Sequence, residues 1–204
     1  MKLLSKMPKS NPNLHSDLIH NGWIPLKEPK SSIIAFLLSL PLMIIGAIIS
    51  IGIIDIISTI SLSEFGLTFD SFSITIDIGI ILMLATLLIL HELLHLVFIP
   101  NFFTSAKTYV GITPLGGFVI TEEEITKARY ILISIAPFLI ISIILPFVLS
   151  MLGILTTSWK VLIILNAMAS SVDIFNLFLI MKQAPKDAIL KSNGPSTYWR
   201  SMKA

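Results

Sequence analysis

Four long apolar runs divide the chain, at 33–60, 74–99, 130–152 and 159–181. Each is close to the ~20 residues that an α-helix needs to cross hydrocarbon. The first run contains Pro41, Gly46 and Gly52, and the third contains Pro137 and Pro146. Such residues are ordinary in membrane helices. Pro100 and Asn101 end the second run. Beyond them the pattern changes period. Residues 107–120 place β-branched and aromatic positions on either side of Thr113-Pro114-Leu115-Gly116-Gly117, which predicts a β-hairpin. Thr121-Glu122-Glu123-Glu124 then predicts a capping box that opens the third helix.

The expected architecture is an all-α polytopic membrane protein with about four transmembrane helices and a short hairpin between helices 2 and 3. A polar segment, 1–32, would precede the four-helix domain, 33–181, and a tail, 182–204, would follow it. With so much polar chain ahead of it, the first run is expected to stay as an anchor rather than be cleaved as a signal peptide.

Composition sharpens this. Of the 204 residues, 54% are hydrophobic and only 13% charged, where a soluble domain has about 25% charged. A lipid bilayer is therefore the first partner implied. The net charge of +2 is small, and no basic patch suggests nucleic acid. The chain has no cysteine, so any metal must be held by His, Asp or Glu.

Basic residues are distributed by segment. Lys2, Lys6, Lys9, Lys27 and Lys30 precede the first run, Lys107, Lys127 and Arg129 lie between the second and third, and Lys182, Lys186, Lys191, Arg200 and Lys203 follow the fourth. Only Lys160, of fourteen Lys and Arg, falls on the other side of a four-crossing arrangement. The loop at 61–73 has Glu64 and Asp70 and no Lys or Arg. The positive-inside rule then places both termini and the hairpin in the cytoplasm.

Within the second run stands His91-Glu92-Leu93-Leu94-His95. HExxH on a helix sets two imidazoles one turn apart on one face, able to chelate zinc, with the glutamate beside them able to take a proton from water. A charged group at membrane depth costs about 2.5–3.5 kcal/mol, so this polar cluster needs a reason, and metal chemistry supplies one. A catalytic zinc usually has three protein ligands. Asp173 is one candidate for the third. His91 lies nine residues before Pro100 and Asp173 nine before Lys182, each about 13 Å of helix, so the two fall at one depth near the cytoplasmic face. Asn166 and Ser170 share the face of Asp173 by helical spacing and are candidate substrate-binding residues, able also to orient a ligand. Glu122, Glu123 and Glu124, beginning 27 residues past His95, compete with Asp173, although acids in a first helical turn are expected as caps. His15 and His20 lie in the polar segment and are expected to be exposed and unrelated. Asp55 and Asp77, near outer helix ends, are assigned no chemistry.

HELLH in one helix, the Gly-Gly hairpin Gly116-Gly117-Phe118-Val119, the Pro-bearing helix around Ala136-Pro137-Phe138 and an aspartate in the last helix together resemble the site-2-protease intramembrane metallopeptidases. Gly22-Trp23-Ile24-Pro25-Leu26-Lys27-Glu28-Pro29 ahead of the first helix resembles a bacterial family of zincin membrane peptidases. The resemblance covers residues 21–181. It implies a zinc endopeptidase of the bacterial cell membrane, acting on peptide or membrane-protein substrates, with His91, His95 and Asp173 as ligands and Glu92 as catalytic base. A catalytically inactive metal-binding scaffold and a metal-dependent transporter are the alternatives.

The topology is directly testable because the chain lacks cysteine. An impermeant thiol reagent applied to intact cells should label a cysteine placed at Ser63 and spare one placed at Ser192. The reverse labelling would invert the orientation.

Overall fold

The computed structural model describes residues 1–65, 78–113 and 116–202. The expected turn residues Pro114 and Leu115, the acids Asp70 and Asp77, the start of the second run at 74 and the tail residue Lys203 lie outside the described residues. In chain order the elements are β1 (Lys2–Leu4), α1 (Pro12–His20), β2 (Ile24–Pro25), α2 (Ser32–Ile57), a 3-10 turn (Leu62–Phe65), α3 (Ile78–Val97), β3 (Thr108–Thr113), β4 (Gly116–Thr121) and β5 (Ile125–Thr126). They continue with α4 (Lys127–Pro137), a π-helical segment (Phe138–Ile144), α5 (Leu145–Met151), α6 (Thr157–Ala169), α7 (Ser171–Gln183), β6 (Ala188–Asn193) and β7 (Ser196–Ser201).

Four stretches are long and apolar enough to cross a membrane: Ser32–Ile57, Ile78–Val97, Lys127–Met151 and Thr157–Gln183. Neither of the last two is a plain helix. The third widens into π-helix directly after Pro137, and the fourth is divided at Ser170 into α6 and α7. α2 packs against α6 and α7, while α3 packs against α4 and α6. The buried face of α2 consists of Ser39, Gly46, Ser50 and Ile54. Small residues let membrane helices come close, and at Gly46 they do: a Cβ there would lie 2.8 Å from the Ala167 carbonyl oxygen.

The all-α expectation is wrong. The chain is mixed α/β, with a three-stranded sheet ordered β1-β3-β4 and a four-stranded sheet ordered β2-β7-β6-β5. The predicted hairpin is present as antiparallel β3 and β4, but the polar segments at the two chain ends are also strands. The reason lies in short-range patterning beneath their polarity. β6 and β7 place Ala188, Leu190, Asn193, Thr197 and Tyr198 inward, with polar or half-buried side chains between them. Asn193-Gly194-Pro195 turns the chain between them, with Gly194 at φ 57°, a value that glycine reaches without strain. β2 joins antiparallel to β7, Ile24 opposite Trp199. Leu18 of α1, Trp23 and Tyr198 form a small core on this sheet.

The chain ends are stapled together by Asn193, which is fully buried. Its side chain accepts from the Asn11 amide at 2.8 Å and donates to the Asn11 carbonyl at 2.9 Å. Glu28 accepts from the Thr197 amide at 2.9 Å, and burial raises its carboxyl pKa against that bond. A second core of Leu26, Ile99, Ile125, Ile133, Ile180, Ala184, Ala188 and Leu190 welds the four-stranded sheet to the ends of the helices.

The capping box expected at 121–124 is also corrected. The Glu122 amide instead donates to the Lys107 carbonyl at 3.0 Å, extending the β3–β4 ladder. Ile125 and Thr126 pair with β6, so the helix begins only at Lys127, with the Thr126 hydroxyl accepting from the Arg129 amide at 3.3 Å. Both sheets and both termini thus gather at one end of the bundle. At the other end Lys160, 4% exposed, donates to the Thr59 carbonyl at 3.2 Å and pairs with Glu64 at 2.8 Å. The hydrogen bond from Lys160 lowers the Glu64 pKa. Asp55 accepts from the Ile60 amide at 3.1 Å just past α2.

Gly46→Ala should destabilise the detergent-purified protein by about 1–3 kcal/mol, as overpacking does. Gly52→Ala, with nothing within 4 Å of an added methyl, should leave the thermal midpoint unchanged or raise it. Equal shifts would contradict the packing of α2 on α6.

Candidate metal centre

The α-helical period turns His91 and His95 to the inward side of α3, whose buried residues are Leu87, His91, His95 and Leu96. The imidazoles are 7% and 8% exposed, with ring centroids 5.0 Å apart and planes nearly edge-on at 76°. Facing them is Asp173, in the first turn of α7 directly after the division at Ser170. Its Oδ2 lies 3.3 Å from His91 Nε2 and 3.4 Å from His95 Nε2. The three donor atoms all fall within 4.8 Å of one another, and among the described residues these side chains form the group able to hold a metal ion.

The remaining ring nitrogens decide what that group can do. His95 Nδ1 donates to the Ile133 carbonyl at 2.8 Å. A carbonyl can only accept, so in the neutral ring the proton is on Nδ1 and the lone pair is on Nε2. His91 Nδ1 lies 2.9 Å from Asn166 Oδ1. The Asn166 amide nitrogen is committed elsewhere, donating to the Pro137 carbonyl at 3.1 Å and the Ser142 hydroxyl at 2.9 Å, so its oxygen faces the ring and His91 has the same tautomer.

Two Nε2 lone pairs and a carboxylate oxygen therefore converge. Acceptors this close repel unless a cation, a proton or a metal ion, lies among them. A tetrahedral zinc with bonds of about 2.0–2.1 Å keeps its ligand atoms roughly 3.3 Å apart, which matches the two His–Asp separations of 3.3 and 3.4 Å. The donor set fits zinc, and backbone or amide oxygens orient both imidazoles from behind, as metal-binding histidines require.

Glu92, half-buried, lies beside this group and interacts electrostatically with His91, His95 and Asp173. Strand β4 passes directly over it. A Cβ on Gly117 would sit 2.6 Å from the Glu92 Cδ and Oε1, so a larger residue here would have to push the Glu92 side chain aside.

The other candidates are placed elsewhere. Glu123 accepts from the Ser105 hydroxyl at 2.8 Å. Glu124 pairs with Lys191 at 3.1 Å, and Glu122 interacts with Tyr109. The Ser170 hydroxyl donates to the Asn166 carbonyl at 2.9 Å. Ser170 and Asn166 are 0% and 1% exposed, with their polar groups engaged inside the protein. His15 is exposed on α1, 2.7 Å from the Tyr198 hydroxyl, and His20 is exposed at the end of that helix. Sequence reasoning missed the Ile133 carbonyl and Ser142, and gave Pro137 no role at the histidines. The signal was a proline four residues after Ile133 in an apolar run.

Residues 84–189, just over half of the chain, match the model of a family described as putative zincin peptidase, and the chain belongs to that family. The matched stretch contains His91, Glu92, His95, both strands of the hairpin, Asn166 and Asp173. The family points to a metallopeptidase and to zinc. No curated protein and no solved structure matches the chain.

Mass spectrometry of the purified protein should find one zinc per chain. His91→Ala and Asp173→Ala should lose it, and Glu123→Ala should retain it. Full zinc in Asp173→Ala together with loss in Glu123→Ala would reassign the third ligand.

Proposed function

We propose that the protein is a zinc-dependent, membrane-embedded endopeptidase of the site-2-protease-like kind that its sequence resembles. It hydrolyses peptide bonds of membrane or membrane-proximal substrates near the cytoplasmic face. In this reading it is a multi-pass protein of a bacterial cell membrane with both termini in the cytoplasm. The observation that carries the reading is the convergence of His91, His95 and Asp173 beside the half-buried carboxyl of Glu92. Membership of the zincin peptidase family supports it, as do four helices long enough to span a bilayer.

His91 and His95 would hold the ion through Nε2 and Asp173 through Oδ2. When bound, zinc supplies a Lewis acid that polarises the scissile carbonyl and lowers the pKa of a water towards about 7. Glu92 accepts a proton from the attacking water and passes it to the leaving amine. Asn166 acts on the chemistry by holding His91 rather than by meeting the substrate. β4 is an edge strand of its sheet, so an extended peptide can pair with its backbone and pass Glu92. Gly117 keeps that approach open.

Glu92→Gln separates catalysis from metal binding. The variant should keep its zinc and its thermal stability but lose cleavage, a drop of about 10²–10⁴ in rate. Membrane proteomes of cells carrying the wild type or the variant would be compared for uncleaved membrane proteins that accumulate only with the variant. If Glu92→Gln restores a deletion strain fully under every condition tried, the protein is a metal-holding scaffold and not a peptidase.

A further inference from the structure

We propose that Pro137 is a positioning residue for both metal-binding histidines, acting through the hydrogen-bonding group it lacks and through the one it has. The inference rests on the metallopeptidase reading above and deepens it.

The argument begins with helix arithmetic. In an α-helix the carbonyl of each residue accepts the amide N–H four residues on. For Ile133 of α4 that residue is Pro137, which has no N–H. The next amide, that of Phe138, donates to the Ile135 carbonyl and does not compensate. The Ile133 carbonyl is therefore released from its own helix, in a residue only 9% exposed and packed in the core. A backbone carbonyl left bare there is costly, so it must find a donor on a neighbouring element. The donor is His95 Nδ1, at 2.8 Å. The same bond fixes the His95 proton on Nδ1 and turns the Nε2 lone pair towards Asp173.

The second arm uses the Pro137 carbonyl. It accepts from the Asn166 amide nitrogen at 3.1 Å, and the Ser142 hydroxyl receives that nitrogen's other proton at 2.9 Å. With both protons committed, Asn166 can offer His91 only its oxygen, 2.9 Å from Nδ1. Pro137 itself is among the most completely buried residues, and the π-helical segment that brings Ser142 round to Asn166 begins at the next residue. One proline thus stands behind each imidazole.

A proline that merely bent the helix would behave differently when replaced. Alanine at 137 restores an N–H that competes with His95 for the Ile133 carbonyl, while removing a residue that ordinarily weakens a helix. Bending alone predicts metal binding unchanged and stability unchanged or improved. The positioning role predicts a split: metal-free Pro137→Ala unfolds at the wild-type temperature or above, yet its zinc affinity falls about 10–100-fold, the usual cost of losing a ligand's orienting partner.

Zinc affinity would be measured by competition with a chromophoric chelator on detergent-purified full-length protein. Cobalt-loaded samples would report the ligand field through their visible absorption. Pro41→Ala, an exposed proline inside α2, is the control and should bind zinc as the wild type does. A Pro137→Ala affinity within twofold of wild type, with an unaltered cobalt spectrum, overturns the proposal. Should that variant fail to fold, the wild type carries the test. In ¹⁵N spectra of the zinc-loaded protein, both His91 and His95 should keep a proton on Nδ1 that exchanges slowly with water. A proton on Nε2 of His95, or rapid exchange at Nδ1, overturns it. Absence of zinc from the wild type would instead sink the metallopeptidase reading, so the two failures are distinguishable.

Discussion

Inside an apolar helical bundle a hydrogen-bonding group cannot turn to water, and each one must be met by a neighbour. That requirement organises this protein. Polar groups from α3, α4, α6, α7 and the π-helical segment meet at one level. His95 reaches the Ile133 carbonyl, and His91 reaches Asn166. Asn166 reaches Pro137 and Ser142, and Ser142 reaches the Ile163 carbonyl at 3.2 Å. Every bond crosses from one element to another, so the network that aims the imidazoles is also a lock between helices. It leaves three acceptor atoms pointing at each other across gaps of 3.3 and 3.4 Å, which is tolerable only with positive charge among them.

The sheets enter this picture from above. β4 comes near enough to Glu92 that a side chain at residue 117 would displace the carboxyl, and the core of Leu26, Ile99, Ile125, Ile133, Ile180 and Leu190 holds the second sheet against the helix ends. Ile133 belongs to that core through its side chain and to the metal centre through its carbonyl. The site therefore sits at a seam between hydrocarbon-matched helices and a folded polar cap. Glu92 is half-buried and the Asp173 side chain 26% exposed, while the histidines beneath them are nearly sealed.

Much of this could be read from residues alone, for identifiable reasons. Transmembrane-length runs need only composition and length, and all four were legible. The histidine pair needs only helical periodicity. The depth argument set Asp173 level with His91, and the structure brings them into contact. What stayed hidden was of two kinds. Two strands of the four-stranded sheet, at Ile24–Pro25 and Ile125–Thr126, have only two residues, too few to show alternation. The turn Asn193-Gly194-Pro195 ahead of Tyr198-Trp199 was the available cue. The backbone groups around the histidines were hidden because a carbonyl has no letter in a sequence. Ile133 looks like any other isoleucine until its helical partner is recognised as proline.

The Asn193–Asn11 staple spans 182 positions of the chain. The four-stranded sheet likewise takes strands from near the beginning, the middle and the very end. A ribosome releases the histidines long before Asp173, and Asp173 before the strands that close the cap. Until residue 201 has been made, β7 has no full length to offer β2. The order of synthesis thus works as a clock. The half-made molecule holds an incomplete candidate metal centre under an open cap, and the elements that complete both follow the histidines in synthesis.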